Sequence, residues 1–376
     1  MTGRRLGVSA ALVDGALLPG DIGVEDGVVT DVGLTPAAGQ RIAAPGLVDV
    51  QVNGFAGVDL MSAEVDDVHR LSRSLLAHGV TAWLPTLITA PTHQTDAALD
   101  VLAKVVPISG RPWQEHGARP LGVHLEGPYL SPHRLGTHPP QYRRDPDAAQ
   151  LRRWRQRGPV VAVTLAPELP GALPLVAELS AAGVLVSVGH SDATAVQAQA
   201  AFDAGARTVT HLFNAMSPLH HRRPGVPGAA LARHDIVVQI VVDGYHLAPE
   251  VVLTAWAAAR RRVVLVTDAT AAAGQSDGRY DLAGVALHVS DGAVRNDTGA
   301  LAGSALTLDA AIRNVNALGI GLVDALVAAT EAPADLLGRD DVGRLLPGRR
   351  ADIVVLEDDL SVRETWLGGA VVEVEE

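Results

Sequence analysis

The chain of 376 residues contains no cysteine. This absence excludes disulfides, thiolate ligands and a cysteine nucleophile, so any metal must be held by histidine, carboxylate, amide or water ligands. Aromatic residues make up only 3% of the chain, too few for a platform on which bases stack. Positive charge is also scarce, because 30 lysines and arginines face 42 aspartates and glutamates, for a net charge of -12. We therefore expect no nucleic-acid partner and no polybasic contact with a membrane.

Long hydrophobic runs are missing as well. No apolar stretch approaches the ~20 residues that span a bilayer, and no apolar signal segment follows Arg4 and Arg5. We therefore expect a cytoplasmic protein without a membrane partner. What the chain does have is 48% hydrophobic residues, enough for one large core and a small second domain.

Apolar strand candidates alternate with alanine- and leucine-rich stretches from residue 45 onward. The predicted strands are Leu47–Val52, Thr81–Leu87, Leu121–Glu126, Val160–Leu165, Val184–Gly189, Thr208–His211, Ile236–Val242 and Val263–Thr267. The predicted helices are Val65–His78, Ala97–Val105, Asp147–Arg157, Ala172–Ala182, Ala193–Ala204, Ala248–Arg260, Thr307–Asn316 and Leu322–Ala329. Continuous apolar strands are typical of parallel sheets buried on both faces. The pattern predicts an α/β fold, a (β/α)₈ TIM-type barrel over residues 45–345. A doubly wound sheet is the alternative, but no GxGxxG motif follows the first strand.

Both ends of the chain look like short β-strands instead. Residues 1–44 hold apolar runs broken by Asp14-Gly15 and Asp26-Gly27, which are hairpin signals, and residues 346–376 are strand-like again. These two segments predict a small β-sandwich domain formed by both chain ends. A further hairpin from Tyr280 to Val294 is expected to turn at Asp291-Gly292.

Polar residues end six of the eight predicted barrel strands. They are Gln51 and Asn53, then Glu126, His190, His211, Asp243 with His246, and Asp268. A TIM barrel places its active site at this carboxyl-terminal rim, so these side chains are expected to meet. Each alone has an ordinary alternative role, such as a hydrogen-bonded structural histidine or a helix N-cap at Asp268.

One carboxylate and two imidazoles at strand ends predict a metal site. Glu126, His190 and His211 would hold one divalent ion, Zn²⁺ first and Fe²⁺, Mn²⁺ or Co²⁺ as alternatives, and leave a position open for water. Asp268 would take the proton of that water and pass it to the leaving group. His124 lies on the same strand face as Glu126 and is expected behind the ligands rather than among them.

Two loops carry further candidates. One is Arg134–His138, and the other is the basic run His220-His221-Arg222-Arg223 on an otherwise acidic protein. The basic run suits a phosphate group, with a solvated loop as the alternative.

Several short motifs follow one another in a fixed order. They are Pro45-Gly46-Leu47-Val48-Asp49, Gln51-x-Asn53-Gly54, His124-Leu125-Glu126-Gly127-Pro128, Gly136-Thr137-His138, Gly189-His190-Ser191, Thr210–Met216, Asp243-Gly244-x-His246 and Thr267-Asp268-Ala269-Thr270. Together they resemble the N-acetylglucosamine-6-phosphate deacetylases of the amidohydrolase superfamily, over about residues 45–356.

The resemblance implies a barrel with a small β-sandwich domain, a homodimer, and hydrolysis of the acetamide of N-acetylglucosamine 6-phosphate to glucosamine 6-phosphate and acetate. By matching position, Glu126, His190 and His211 become metal ligands and Asp268 the general base and acid. The implied substrate contacts are His138 near the amide, Asn214, Ala215 and His246 at the sugar phosphate, and Arg222, or its neighbour Arg223, reaching the phosphate in the partner subunit's site.

One departure concerns the first strand. Many amidohydrolases carry His-x-His there, which binds a second metal, whereas this chain has Gln51-x-Asn53. Neutral amides are poor ligands beside imidazole and carboxylate, so we expect one tightly held metal per subunit.

Three other functions are kept as alternatives. The chain could act on N-acetylgalactosamine 6-phosphate, it could hydrolyse a cyclic amide, or it could be a non-catalytic scaffold. A scaffold is expected to lack a ligand or the base, and this chain has all four residues.

Overall fold

The computed structural model describes residues 3–106 and 117–372. Eight parallel strands form the barrel: Leu47–Val52, Val80–Ile88, Val123–Glu126, Val160–Leu165, Leu185–Val188, Thr208–Val209, Val237–Ile240 and Val263–Leu265. Each pairs in parallel with the next, and the two-residue strand Arg119–Pro120 pairs with the second. Their inner and outer faces are almost wholly buried, which confirms the predicted barrel.

Within the described residues, the first strand and the segment after the eighth meet directly near the carboxyl-terminal rim. There Val52 bridges to Ala269, and the backbone N–H of Asn53 donates to the oxygen of Ala269 at 2.8 Å. Closer to the base, Ala328 and Ala329 lie between the two strands and accept from Leu265 and Val48 at 2.9 and 2.8 Å. The closing contact therefore joins the two segments that carry Asn53 and Asp268.

The helices cover the outside of the barrel and follow its last strand. They are Val65–Leu76, Thr92–Val105, Ala148–Arg157, Ala172–Ala181, Ala195–Asp203, Gly225–Ala232, Pro249–Ala259, Leu308–Ala317, Leu322–Val327 and Glu331–Leu336, with single 3₁₀ turns at Pro140–Tyr142 and Arg260–Arg262. Two of these, Gly225–Ala232 and Glu331–Leu336, were not predicted. The first contains two glycines and a proline, which normally signal a loop. Burial of Val226 and Ala230 offsets that weak propensity.

Both chain ends build the small sheet domain. A six-stranded sheet has the order Ala370–Val371, Val362–Leu367, Ile353–Leu356, Ile42–Pro45, Ala10–Val13 and Ala16–Pro19, and a three-stranded sheet contains Arg4–Arg5, Asp21–Glu25 and Val28–Leu34. Side chains from both sheets, such as Ile22, Val29, Ile353 and Trp366, share a second core. The domain limits 1–44 and 346–376 stay a prediction, and residues 1–2 and 373–376 lie outside the described ones.

A small antiparallel sheet follows the eighth barrel strand. It contains Gly278–Leu282, Val285–Ser290 and Ala293–Asn296, one strand more than the predicted hairpin. The expected turn at Asp291-Gly292 is present, and the added turn lies at Ala283-Gly284. Two short strands, Gly54–Phe55 and Val58–Asp59, pair after the first barrel strand. Among the described residues, every helix is too short or too polar to cross a bilayer.

Candidate active site

The residues predicted from strand ends converge at the carboxyl-terminal rim of the barrel. Glu126 is the last residue of the third strand, whereas His190, His211 and Asp268 follow just beyond theirs. These three residues have positive φ values of 48°, 31° and 51°. A non-glycine residue with positive φ cannot continue an extended strand, so the fifth, sixth and eighth strands stop earlier than predicted.

Glu126, His190 and His211 bring three ligand atoms into a closed triangle. Oε1 of Glu126 lies 3.1 Å from Nε2 of His190 and 3.1 Å from Nε2 of His211, and the two Nε2 atoms are 3.0 Å apart. None of the three residues is more than 5% exposed. Ligand atoms at about 2.0–2.1 Å from one tetrahedral zinc lie about 3.3 Å from each other. The triangle therefore fits a single divalent cation.

The hydrogen bonds around His190 support this fit. Its Nδ1 donates to the backbone oxygen of Arg134 at 2.9 Å, so Nε2 presents its lone pair to Glu126. A nitrogen lone pair and a carboxylate oxygen at this distance repel one another unless a proton or a cation lies between them. Burial alone would raise the pKa of Glu126, but the contacts with the imidazoles of His190 and His211 hold that pKa well below its ordinary value. Burial lowers the pKa of His211, but Glu126 outweighs burial and raises it.

His138 lies beside the triangle and has a different role. Together with Glu126 and His190 it offers ligand atoms within 4.8 Å of one another, so it could in principle replace His211 in the ligand set. However, Nδ1 of His138 accepts the backbone N–H of Thr89 at 3.3 Å, and burial lowers the pKa of His138 to about 3. The neutral ring then carries its proton on Nε2, which lies 4.0 Å from Glu126. His138 is therefore a hydrogen-bond donor into the site, and His211 is the better third ligand.

Asp268 is hydrogen-bonded to two amide side chains, one of which also reaches the triangle. Its Oδ1 accepts from Asn53 at 2.7 Å and from Gln51 at 3.0 Å, and Gln51 also reaches Glu126 at 3.2 Å. Burial, followed by the charge of Glu126, raises the pKa of Asp268 to about 6. The amide of Gln51 thus bridges the two carboxylates, at the strand where other amidohydrolases are expected to hold a second metal. The amide oxygens of Gln51 and Asn53 are buried without a partner among the described residues.

Two buried residues, His124 and Asp49, support the site through hydrogen bonds to neighbouring strands. His124 contacts Thr164 at 2.8 Å and Thr86 at 3.3 Å, and burial lowers the pKa of His124 to about 4. It lies behind the ligands, as predicted from strand alternation. Asp49 accepts from the hydroxyl of Thr267 at 2.6 Å, and burial raises the pKa of Asp49 to about 7. This carboxyl ties the first strand to the residue that precedes Asp268.

The fourth strand contributes a residue that the sequence analysis missed. Glu168 accepts from the hydroxyl of Ser191 at 2.7 Å and from the backbone of Asp192 at 2.6 Å. Asp192 in turn pairs with the guanidinium of Arg134 at 2.7 Å, and Arg134 supplies the carbonyl that orients His190. The signal was present, since Ala166-Pro167-Glu168 directly follows Val160–Leu165. Thr89, which holds His138, follows the second strand in the same way.

A cavity of about 300 Å³ opens above these groups. Of the predicted substrate residues, His138, Asn214, Ala215 and His246 line it. His246 contacts Asp243 at 2.7 Å; burial would raise the pKa of Asp243, but His246 keeps it below its ordinary value. Arg222 does not reach this cavity within the chain. It is exposed and lines a neighbouring cavity of about 520 Å³.

Comparisons with known proteins agree with this geometry. Residues 42–372 match the amidohydrolase family. The chain is 39% identical over 354 residues to the N-acetylgalactosamine-6-phosphate deacetylase of Escherichia coli O157:H7, covering 92% of this chain and 93% of that protein. It is 37% identical over 336 residues to the N-acetylglucosamine-6-phosphate deacetylase of Vibrio furnissii, covering 87% and 82%.

Solved structures show the same likeness. The N-acetyl-D-glucosamine-6-phosphate deacetylase of Mycobacterium smegmatis, a mutant in complex with N-acetyl-D-glucosamine-6-phosphate, superposes with a TM-score of 0.92 and 35% identity, covering 99% of both chains. The N-acetylglucosamine-6-phosphate deacetylase of Thermotoga maritima gives a TM-score of 0.90 at 30% identity, covering 99% of this chain and 100% of that one.

Proposed function

The chain belongs to the amidohydrolase family, and from that premise we propose that it hydrolyses the acetamide of N-acetylglucosamine 6-phosphate to glucosamine 6-phosphate and acetate. The observation that carries this proposal is the buried triangle of Glu126, His190 and His211 beside Asp268, in a cavity of about 300 Å³. Relatives named for this activity support the substrate.

The triangle would hold one divalent ion per subunit, with Zn²⁺ favoured by its two imidazoles and one carboxylate. Such an ion, when bound, activates water and polarises the acyl carbonyl. Gln51 and Asn53 would not hold a second ion tightly, because neutral amides are poor ligands beside imidazole and carboxylate. Their amide N–H groups donate to Asp268 instead. Hydrogen bonds from these amides, rather than a second cation, then hold Asp268, the general base, in place.

Asp268 serves as the base and then as the acid. It accepts a proton from water as the water oxygen bonds to the acyl carbon, and it returns that proton to the nitrogen as the C–N bond breaks. Its raised pKa of about 6 lies close to neutral pH, which suits a group that must both accept and release a proton. The Nε2–H of His138 donates to the carbonyl oxygen, where negative charge develops.

The remaining predicted residues would bind the sugar phosphate. Asn214, the backbone of Ala215, and His246 lie on one side of the cavity, on the segments that follow the sixth and seventh strands. Arg222 is exposed and lies outside the cavity of its own chain, which agrees with a role in a homodimer where it reaches the phosphate in the partner subunit's site. A cytoplasmic location suits a phosphorylated substrate, because a charged phosphate does not cross a bilayer unaided.

N-acetylgalactosamine 6-phosphate, the galactose epimer, stays the second candidate substrate, because a relative at 39% identity is named for it. The test is acetate release from both sugar phosphates, from unphosphorylated N-acetylglucosamine and from a cyclic amide, on one enzyme preparation. We expect the highest kcat/KM on N-acetylglucosamine 6-phosphate. Preference for the epimer would change the substrate but keep the reaction, whereas turnover of the cyclic amide alone would overturn the proposal.

A further inference from the structure

The cavity above the triangle of Glu126, His190 and His211 has an apolar side and a polar side. Its large apolar side chains are Ile88, Leu282 and Leu301, which belong to the second strand and to the segment after the eighth. The polar side chains of His246 and Arg134 lie on segments that follow the seventh and third strands. An acylated sugar phosphate has the same asymmetry, with a charged group at one end and an acyl methyl at the other.

Strand register places Ile88 next to the reacting centre. Ile88 is the Cα partner of Glu126, and Thr86 is the Cα partner of His124. Thr86 points into the barrel, since its hydroxyl contacts His124, and Ile88 two residues later shares that face. Its side chain is only 4% exposed, so it forms a buried wall beside the carboxylate of Glu126.

Leu301 stands on the other flank, beside Asp268. The backbone N–H of Ser304 donates to the oxygen of Asp268 at 2.8 Å, and a Cβ on Gly303 would lie 2.7 Å from that oxygen. The segment that begins at Leu301 therefore runs alongside Asp268. Leu301 is partly exposed, so it borders the open part of the cavity.

Leu282 belongs to the same apolar side of the cavity. It is 2% exposed and ends the first strand of the small antiparallel sheet. The next residue, Ala283, donates its backbone N–H to Asp59 at 2.8 Å, and Asp59 ends the short strand Val58–Asp59 that follows the first barrel strand. This bond ties Leu282 to the segment after the first barrel strand, which lies between the second strand, with Ile88, and the eighth, after which Leu301 follows.

We propose that Ile88, Leu282 and Leu301 form an acyl pocket that limits the enzyme to short acyl groups, with Leu301 as the side chain that sets the limit. This inference rests on the proposed function, because a phosphate held near Asn214 and His246 leaves the apolar side chains of Ile88, Leu282 and Leu301 to the acyl group. Ile88 and Leu282 are buried and backed by strands, whereas Leu301 borders open space and can be shortened without emptying the core.

The pocket predicts a size preference that substitutions shift. One added methylene changes kcat/KM by about 10- to 200-fold in a hydrophobic pocket. The wild-type enzyme should therefore prefer N-acetyl- over N-propionyl-glucosamine 6-phosphate by about tenfold or more. Leu301→Ala should raise the propionyl-to-acetyl ratio of kcat/KM by about tenfold. Leu301→Phe should instead raise the formyl-to-acetyl ratio.

The experiment measures kcat/KM for the N-formyl, N-acetyl and N-propionyl sugar phosphates with wild type, Leu301→Ala, Leu301→Phe and the milder Leu301→Val. Leu253→Ala, on the outer face of the helix Pro249–Ala259, is the matched control and should keep the wild-type ratios. Inhibition by glucosamine 6-phosphate, which has no acyl group, should be equal in all variants, and a change in it would point to a distorted site rather than an acyl pocket.

Each outcome has a distinct meaning. Ratios that stay at the wild-type value in Leu301→Ala and Leu301→Val, while acetyl turnover persists, would overturn the acyl pocket and leave the deacetylase intact. Wild-type enzyme that releases no acetate from N-acetylglucosamine 6-phosphate would instead remove the proposed function itself.

Discussion

The two ends of the barrel each open into a cavity, and the larger cavity is at the end without the proposed catalytic groups. The rim cavity measures about 300 Å³, while the cavity at the base, among the amino-terminal ends of the strands, measures about 610 Å³. Arginines such as Arg207 and Arg261 line the base cavity together with Asp235 and Asp335. Size alone would therefore select the end opposite the proposed site.

What separates the two ends is burial of the ionisable groups. At the rim, Glu126 and Asp268 are under 10% exposed, and their pKa values move in opposite directions. At the base, Asp235 is exposed and paired with Arg233 at 2.7 Å, which lowers the pKa of Asp235 to about 2. Exposed pairs of this kind contribute little, whereas neighbouring buried carboxyls with displaced pKa values are typical of catalytic sites.

The largest effect on activity is expected from Asp268→Asn, which removes a buried ionisable group from the rim. The amide cannot accept a proton, so kcat should fall by about 10²- to 10⁴-fold. Metal content and thermal unfolding should stay near wild type, because the triangle of Glu126, His190 and His211 is untouched. Asp235→Asn, at the amino-terminal end of the barrel, is the matched control and should retain activity. An Asp268→Asn enzyme as active as this control would contradict the role of Asp268 as the general base.

A smaller effect is expected from Arg222→Ala. Charge-assisted hydrogen bonds to phosphate contribute about 1.5–3 kcal/mol, so KM for N-acetylglucosamine 6-phosphate should rise by about 10- to 100-fold with little change in kcat. The unphosphorylated sugar should be unaffected. Arg223→Ala serves as the neighbouring control, and a larger effect there would transfer the phosphate contact to Arg223.

The pH dependence of kcat/KM should show an acid limb due to Asp268. The group acts as a base when ionised, so activity is present above its pKa and falls about tenfold per unit of pH below it. Burial and Glu126 raise that pKa to about 6, while a cation on the neighbouring ligands favours the carboxylate and lowers it. We therefore expect the midpoint at or below about pH 6, with metal content measured at each pH as the control. A midpoint above about pH 7 would assign the limb to another group.

The smallest effect is predicted for the larger cavity. Arg207→Ala and Arg261→Ala at the base should change kcat/KM by less than about twofold, because both side chains are exposed and remote from the ligands. A large loss of activity in either variant, with unchanged unfolding temperature, would show that the base takes part in function.

The barrel and the convergence of the strand-end residues could be predicted from sequence, because both follow from local patterns. Continuous apolar strands alternate with helices, and a parallel barrel brings every strand's carboxyl end to one rim. The sequence alone therefore predicts that Glu126, His190 and Asp268 lie together. Their individual roles stay proposals that the variants above test.

The supporting contacts could not be predicted, because they depend on side chains that are distant in the sequence. The bond from Thr89 to His138 fixes which nitrogen carries the proton, and the chain from Glu168 through Asp192 to Arg134 orients His190. Strand ends were misplaced by one or two residues where positive φ values interrupt the ladder, as at His211. The helix Gly225–Ala232 was missed, since only tertiary burial offsets its glycines and proline.

The most direct test of the single-ion site is metal content per chain, measured together with acetate release from N-acetylglucosamine 6-phosphate on protein purified without chelator. We predict about one metal per chain, with activity that is lost on chelation and restored by about one equivalent of Zn²⁺. About two tightly held metals per chain would contradict the interpretation of Gln51 and Asn53 as donors that replace a second ion. Full activity after complete metal removal would contradict the account as a whole.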